Sequence, residues 1–461
     1  CAAVSSTDGV KNGDETDVDC GGTAAPKCAA GKACNAPEDC DSNFCTGNVC
    51  EPRKTGRKDG DETDIDCGGK VAPKCDWGKG CLVDSDCGSA ACGFNKKCVE
   101  GASCKVQYGG VTCGSGEVGQ GGANHESCCR SLKVNGYTDS RQPGKQVYLD
   151  KYEITAGRMR AFIDAVSATN GGVPNIKGYM AANRPSRWVT GWENILPAAN
   201  SGQIASYTVT TPSPADRLYP GQDVNASVRT QPSWNVNNGS FVIDPGLYNT
   251  LGAQPFFPEY TPDYAATHNL NCGNEMGSYG FGTYWFPANI VQTYSGGVGK
   301  KFTQQEMDVK ALNCSTFGLY AAFCAWDGGQ LATSEVWDYV TNNNARLGAA
   351  PNCNGINGAS DTGTACPAVY FYPDDGGNTY DGAARVAPPG RVPGDTLVIN
   401  AADEPWYDMK GNLLEAVLMP DNTFFYRGYG QGYGSVTHHK AQEFTPRMKA
   451  ASFGARCMRF R

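Results

Sequence analysis

Cysteine is the residue type whose number and spacing in this chain carry the most chemistry. The 461 residues include 23 cysteines, and thiols can form disulfides, bind zinc or act as nucleophiles. Zinc sites favour cysteine pairs separated by two residues, and the chain has no such pair. Because so many free thiols would not persist in a reducing cytosol, we expect disulfides and an oxidising, extracytoplasmic compartment.

Twelve of the cysteines form a tandem repeat within the first 100 residues. The first five cysteines of each copy keep the intervals 8, 6, 6 and 5, and the copies are offset by 47 residues. Such short units bury too little apolar surface to fold alone, so we expect three disulfides in each, with the connectivity left open. The repeat cysteines are Cys20, Cys28, Cys34, Cys40, Cys45 and Cys50, then Cys67, Cys75, Cys81, Cys87, Cys92 and Cys98.

An acidic run precedes the first cysteine of each copy. Carboxylates in a glycine-flanked loop are ligands that calcium favours, so each run is a candidate calcium site. The alternative is a solvated acidic turn, because no helix-loop-helix frame accompanies the run. The residues are Asp14, Asp17 and Asp19 in the first copy and Asp61, Asp64 and Asp66 in the second.

The first residue of the chain, Cys1, is followed by a run of small and polar residues. Processed bacterial lipoproteins begin in this way, with a lipid on the first cysteine. The remaining 22 cysteines are enough for eleven disulfides (22 divided by 2). We therefore expect Cys1 to carry a lipid, in a bacterial outer membrane lipoprotein or secreted surface protein. The alternative is a chain start that falls on a cysteine by chance.

Composition limits the partners and the fold. The formal net charge of -8, with no run of Lys and Arg, disfavours nucleic acid as a partner. The 59 glycines and 26 prolines predict many loops, and aromatic residues become more frequent after about residue 130. The predicted divisions are a tether (1–7), two repeats (8–52 and 53–99), a cysteine-containing linker (100–140) and a large domain (141–461).

The linker contains Cys104, Cys113, Cys128 and Cys129. A bond between the adjacent Cys128 and Cys129 would be strained, so we expect both to pair with neighbours. In the large domain, only residues 153–166 and 316–327 have clear helical periodicity. Short strand-like pieces between turns make up much of the rest, which predicts an α+β fold with few regular elements.

Four segments of the large domain, in order, resemble the formylglycine-generating enzyme (sulfatase-modifying factor) family. Ala332 stands where the family has a proline. The segments are YLDKYEIT at 148–155, AAFCAWDGGQLATSEVWDY at 321–339, WYDMKGNLLE at 406–415, and the pieces Arg427-Gly428 and FGARC at 453–457.

This resemblance implies a C-type-lectin-like α+β fold with little regular secondary structure. It also implies a disulfide between Cys324 and Cys457, after which the remaining pairs are Cys272 with Cys314 and Cys353 with Cys366. Cysteine-rich repeats followed by such a domain are similar to surface proteins of myxobacteria.

The resemblance departs from the family at its catalytic centre. The family's oxidase holds copper with two cysteines located between the Arg-Gly pair and the terminal cysteine, but this chain has no cysteine between Arg427 and Cys457. Without thiolates there is no soft site for Cu(I), so we expect no copper and no oxidase activity. Iron sulfoxide synthases with a related domain need three histidines, and the four histidines here lack that spacing.

The resemblance also implies a structural calcium site in the segment 408–415. Two carboxylates and intervening backbone carbonyl groups form an oxygen ligand set that suits calcium. The alternative is an ordinary turn, in which Glu415 pairs with an arginine. The implied ligands are Asp408, Met409, Gly411, Leu413 and Glu415.

Aromatic residues and glycines alternate after Arg427 and form a candidate binding surface. Tyrosine rings suit sugar stacking or protein contact, although they also describe a packed loop. The surface residues are Tyr426, Tyr429, Tyr433 and His438. We therefore expect a non-enzymatic cell-surface protein that binds glycan or protein, or is structural. A homo-oligomer that forms a surface polymer is a variant of this expectation. The alternative is a diverged enzyme of the formylglycine-generating family.

Overall fold

The computed structural model divides the chain into two compact units, residues 1–100 and 101–461. Residues 101–140, predicted as a linker, therefore belong to the second unit. None of the helices among the described residues is long and apolar enough to span a membrane. The structure describes residues 5–51, 54, 56–58, 60–70, 72–119, 121–168, 176–196, 304–313, 315–343, 345–346, 386–391, 395–428 and 453–461, and seven short strands between 199 and 300.

The first unit consists of two repeats with the same disulfide pattern. Each repeat joins its first cysteine to the second, its third to the fifth and its fourth to the sixth. The buried hydrophobic cluster of each repeat consists of these cysteines alone. The regular elements are two 3-10 turns (Pro37–Asp39 and Asp84–Asp86) and the hairpin of β1 (Cys45–Thr46) and β2 (Val49–Cys50). The disulfides therefore replace an apolar core.

One buried aspartate shapes each repeat. The Asp39 carboxylate accepts backbone N–H bonds from Gly22, Asn35 and Ala36 at 2.8–2.9 Å. Asp86 does the same in the second repeat. These bonds to Asn35, Ala36 and Gly22 lower the pKa of Asp39. Asp39 and Asp86 thus stabilise turns of the repeats, as expected for carboxylates that accept hydrogen bonds from backbone N–H groups.

The second unit is an α+β fold with small sheets. Its helices are α1 (Ala156–Ala168), α2 (Ile176–Ala182), α3 (Gln304–Asp308), α4 (Phe317–Trp326) and α5 (Ser334–Thr341). Its first strands are β3 (Cys113–Ser115), β4 (Asn124–Glu126), β5 (Ser131–Lys133) and β6 (Val147–Asp150). The short strands are β7 (Ala199–Asn200), β8 (Gln203–Ile204), β9 (Tyr207–Thr208), β10 (Trp234–Asn235), β11 (Ser240–Phe241), β12 (Gln292–Thr293) and β13 (Gly299–Lys300). The last strands are β14 (Gln330–Leu331), β15 (Thr396–Leu397), β16 (Trp406–Tyr407), β17 (Leu414–Leu418), β18 (Phe424–Arg427), β19 (Phe453–Ala455) and β20 (Cys457–Phe460).

Two sheets position the residues considered below. The first has the strand order β14-β20-β6-β5 and is antiparallel throughout. The second has the order β18-β17-β19, in which β17 and β19 are parallel. The two strands β19 and β20 follow one another in the chain, so the single residue between them, Arg456, links the two sheets.

The helices begin where the sequence offers capping threonines. The Thr316 hydroxyl accepts a bond from the Leu319 N–H at 3.2 Å, and the Thr333 hydroxyl caps α5 in the same way. Helix α4 lies within the predicted segment 316–327 and is buried over most of its length. Helix α5 was not predicted, because its eight residues are too short for a clear periodic signal.

A buried group of four charges joins distant parts of this unit. Arg158 and Arg459 both donate to Asp327 at 2.7 Å, and both also donate to Asp150. These side chains are 4% exposed or less. Buried charges are tolerated when each is paired with an opposite charge and makes several hydrogen bonds, as these four residues do.

Three disulfides complete the described part of the second unit. Cys104 bonds to Cys129 and Cys113 to Cys128, so the adjacent cysteines have separate partners, as predicted. The disulfide that the resemblance implies, between Cys324 of α4 and Cys457 of β20, is present. The other implied pairs, Cys272 with Cys314 and Cys353 with Cys366, lie outside the described residues.

Candidate functional site

A buried polar centre surrounds the segment 408–415, where the resemblance implies calcium. Strand β17 supplies Glu415, the junction of β19 and β20 supplies Arg456, and helix α5 supplies Trp337. Strand β17 is parallel to β19, and Glu415 is paired with Gly454, which lies two residues before Arg456. Glu415 is 1% exposed and Arg456 is fully buried.

The Glu415 carboxylate is bonded to protein donors at both oxygen atoms. Arg456 Nε donates to Oε1 at 2.7 Å and to Oε2 at 2.8 Å, and a second Arg456 nitrogen donates to Oε1. Trp337 Nε1 donates to Oε2 at 2.9 Å. Burial opposes the charge on Arg456, but the attraction of Glu415, the hydrogen bonds to it and the nearby carboxylates Glu153 and Asp408 together raise the pKa of Arg456. Both oxygen atoms of Glu415 are therefore engaged by protein donors.

The rest of the Arg456 guanidinium is bonded to backbone carbonyl groups. Nη1 donates to the oxygens of Asp150 and Lys151, both at 3.1 Å. Nη2 donates to the oxygens of Tyr407 at 3.0 Å and of Asp408 at 3.5 Å. Arg456 thus links three strands, namely the end of β6, the end of β16, and β17.

Two buried aspartates lie beside this pair. Asp408 Oδ2 accepts a bond from the Gly390 N–H at 2.6 Å. Asp395 accepts bonds from the N–H groups of Lys410 at 3.1 Å and Gly411 at 2.8 Å. Burial, and then the charge of Asp395, raises the pKa of Asp408 to about 8. Burial raises the pKa of Asp395 to about 7.

A third carboxylate, Glu153, closes the other end of the turn. It accepts bonds from Asn412 Nδ2 at 2.6 Å and from the Leu413 N–H at 3.2 Å. Burial, followed by the charges of Asp408 and Glu415, raises its pKa well above the ordinary range. The centre therefore holds more carboxylates than cations, and protonation relieves the imbalance.

The calcium ligands implied by the resemblance do not fit this arrangement. Glu415 is bonded to a guanidinium, and a divalent ion at the same carboxylate would be repelled by Arg456. Among the described residues, no three Asp, Glu or His side chains bring ligand atoms within 4.8 Å of one another. The two cysteine trios that do so consist of disulfide-bonded cysteines. At Glu415 the structure has the alternative considered above, a turn with the glutamate paired to an arginine.

The acidic runs of the repeats do not converge either. Asp14 Oδ2 accepts bonds from the Thr23 N–H and hydroxyl, which lower its pKa. Asp17 accepts from the Ala33 and Val18 N–H groups, and Asp19 from the N–H groups of residues 8 and 9. In the second repeat, Asp61, Asp64 and Asp66 accept from residues 70, 80 and 56 in the corresponding way. Each carboxylate is directed at a different backbone segment, and calcium at these runs stays a prediction.

One member of the predicted binding surface can be described. The half-buried Tyr426 ring stacks on Phe425, with ring centres 4.9 Å apart, and on Phe453 at 5.1 Å. Part of this ring is therefore used in packing inside the domain. Tyr429, Tyr433 and His438 lie outside the described residues, as does Cys1.

Asp395 and Glu153 were not predicted as members of the polar centre, and Arg456 was not predicted as the partner of Glu415. Arg456 lies in the quoted FGARC segment, and Glu153 lies in YLDKYEIT. A signal was present, because acidic and basic residues within otherwise apolar strands are expected to be paired. Only the fold shows which of them meet.

Similarity to known proteins does not help to interpret the polar centre. Comparisons with protein-family models, with curated proteins and with solved structures gave no match to this chain. The likeness to the formylglycine-generating enzyme family therefore rests on the four segments quoted above.

Proposed function

We propose that this chain is a non-enzymatic cell-surface protein that binds a glycan or a protein, or is structural. The disulfide-rich repeats form a stalk. The domain 141–461 has the C-type-lectin-like fold of the sulfatase-modifying factors. The many disulfides agree with an oxidising, extracytoplasmic location.

The observation that carries this proposal is the burial of the acidic groups. A catalytic carboxyl must lie within hydrogen-bond reach of its substrate, directly or through a water molecule. Asp395, Asp408 and Glu415 are each 1% exposed, and Glu153 is fully buried. The raised pKa values of Asp395, Asp408 and Glu153 therefore reflect internal packing and do not indicate a site open to substrate.

A binding role is tested with the surface tyrosines. The intact chain is applied to a glycan array beside the variants Tyr429→Ala and Tyr433→Ala. The control is Tyr339→Ala, at a 37% exposed tyrosine that is not part of the proposed surface. Binding that is lost in the first two variants and kept in the control supports the proposal. Absence of any glycan signal above background removes the glycan as the ligand.

Assembly into a surface polymer is a variant of the proposal that the tandem repeats motivate. Electron microscopy of the native cell surface tests it. Filaments or arrays that contain the chain support this variant, and dispersed monomers count against it.

The alternative function is a diverged enzyme of the formylglycine-generating family. It predicts oxygen consumption by the purified chain in the presence of a cysteine-containing peptide. Turnover above that of a heat-denatured sample favours this alternative over the binding protein.

A further inference from the structure

We infer that the Arg456 guanidinium, rather than a calcium ion, is the cation that closes the turn 408–415. This inference concerns how the large domain is held together, and it does not depend on which ligand the domain binds. It starts from the disagreement between the ligand set that the family resemblance implies and the contacts of the residues concerned.

The first step is the number of bonds that Arg456 makes. A guanidinium has five N–H donors in a rigid planar fork. Nε and Nη2 bind the Glu415 carboxylate, Nη1 binds the carbonyl groups of Asp150 and Lys151 at the end of β6, and Nη2 also reaches the turn. All three nitrogen atoms therefore donate to oxygen atoms of the protein. The guanidinium is surrounded by oxygen atoms in the way that a bound metal cation would be.

The second step is the direction of the turn's own polar groups. Asp408 and Asn412 have positive φ values of 56° and 60°, which gives this segment a tight curvature. The N–H groups of Lys410 and Gly411 donate to Asp395, and the Leu413 N–H donates to Glu153. Carboxylates of the protein therefore set the shape of the turn from the outside.

The third step is the direction of the carbonyl groups. Those of Tyr407 and Asp408, at the start of the turn, point at Arg456 Nη2. In the calcium site that the resemblance implies, the Glu415 carboxylate would instead converge on the ion with Asp408 and the carbonyl groups of the turn. Here Glu415 and the two carbonyl groups at the start of the turn converge on the guanidinium, which leaves a divalent ion at Glu415 to compete with a fixed positive charge.

Terbium luminescence provides a local test, because Tb³⁺ is an oxygen-binding substitute for calcium and is sensitised by a nearby indole. Trp337 Nε1 lies 2.9 Å from Glu415 Oε2, so an ion on this carboxylate would lie close to the Trp337 ring. The full-length chain is titrated with Tb³⁺ beside the variants Trp337→Phe and Glu415→Gln. We expect the same tryptophan-excited signal in all three, because any terbium bound elsewhere contributes equally.

The opposite result is equally clear. A saturable component that calcium displaces, and that both variants lose, would place a cation at Glu415 and overturn the inference. Thermal unfolding provides a second readout. The transition followed is the one that changes the fluorescence of Trp337. We expect its midpoint temperature to be the same in calcium and in excess chelator. A midpoint raised by calcium in the wild-type chain but not in Glu415→Gln would contradict it.

Discussion

The pair Arg456 and Glu415 allows a quantitative prediction. In Arg456→Met the guanidinium is lost together with its bonds to Glu415 and to four backbone carbonyl groups. Glu415 is 1% exposed, so its charge remains buried, with the Trp337 indole as partner. Breaking a buried pair from one side costs about 3–5 kcal/mol. We therefore expect the free energy of unfolding to fall by about 4 kcal/mol.

A double-mutant cycle separates the interaction energy of this pair from the other destabilising effects of each substitution. Glu415→Leu alone leaves the buried guanidinium without its counter-charge and should cost a similar amount. The double variant removes both charges, so its loss should be about 3 kcal/mol smaller than the sum of the single losses. Urea unfolding followed by tryptophan fluorescence, with the disulfides intact, measures all four proteins.

The matched control is Arg427→Met. Arg427 makes a two-pronged pair with Asp338 at 2.7 and 3.0 Å, but the Asp338 side chain is 21% exposed. Water can replace the lost partner there, so we expect a loss of about 1 kcal/mol. Losses at Arg456 and Glu415 that add without coupling, or that equal the Arg427 loss, would refute the reasoning.

Three further substitutions test other parts of the structure. Asp39→Asn should destabilise the first repeat by about 2 kcal/mol in chemical unfolding, whereas Asp41→Asn, at an exposed position, should have no effect. The pKa of Asp39 is lowered in the folded state. Its contribution to stability is therefore present above the unfolded-state pKa and is lost as the pH falls through the folded-state pKa. Cys324→Ser opens a loop of 133 residues to Cys457 and should cost about 4 kcal/mol, read as a lower unfolding midpoint. Gly21→Ala should reduce the yield of the correctly paired first repeat, measured by disulfide mapping, because Gly21 has a φ of 81° and an added Cβ would overlap a threonine hydroxyl.

The cysteine spacing was sufficient to predict two equivalent disulfide-stabilised repeats. It was insufficient to predict their pairing, because six cysteines in a short unit allow many connectivities. The pairing depends on turns such as the one closed by Asp39, whose bonds reach 17 residues back to Gly22. That contact has no periodic signature in the sequence.

The segment 408–415 shows the same limit at larger scale. The resemblance implied carboxylate and carbonyl ligands for calcium in this segment, whereas the structure pairs Glu415 with Arg456. The partner of Glu415 lies 41 residues away, and that partner's other acceptors, Asp150 and Lys151, are more than 300 residues away in the chain. Such distances are set by the sheet order, so residue pattern alone cannot choose between a calcium ion and an arginine.

The metal content of the purified full-length protein tests most directly whether the large domain is non-enzymatic. Copper and iron are measured by mass spectrometry after dialysis, in protein prepared under oxidising conditions with both metals supplied. We predict that neither metal is present in stoichiometric amount, because no cysteine lies between Arg427 and Cys457 to hold copper and the four histidines lack the spacing of a three-histidine iron site. A stoichiometric copper or iron ion would contradict the proposed binding or structural role and favour a diverged oxidase.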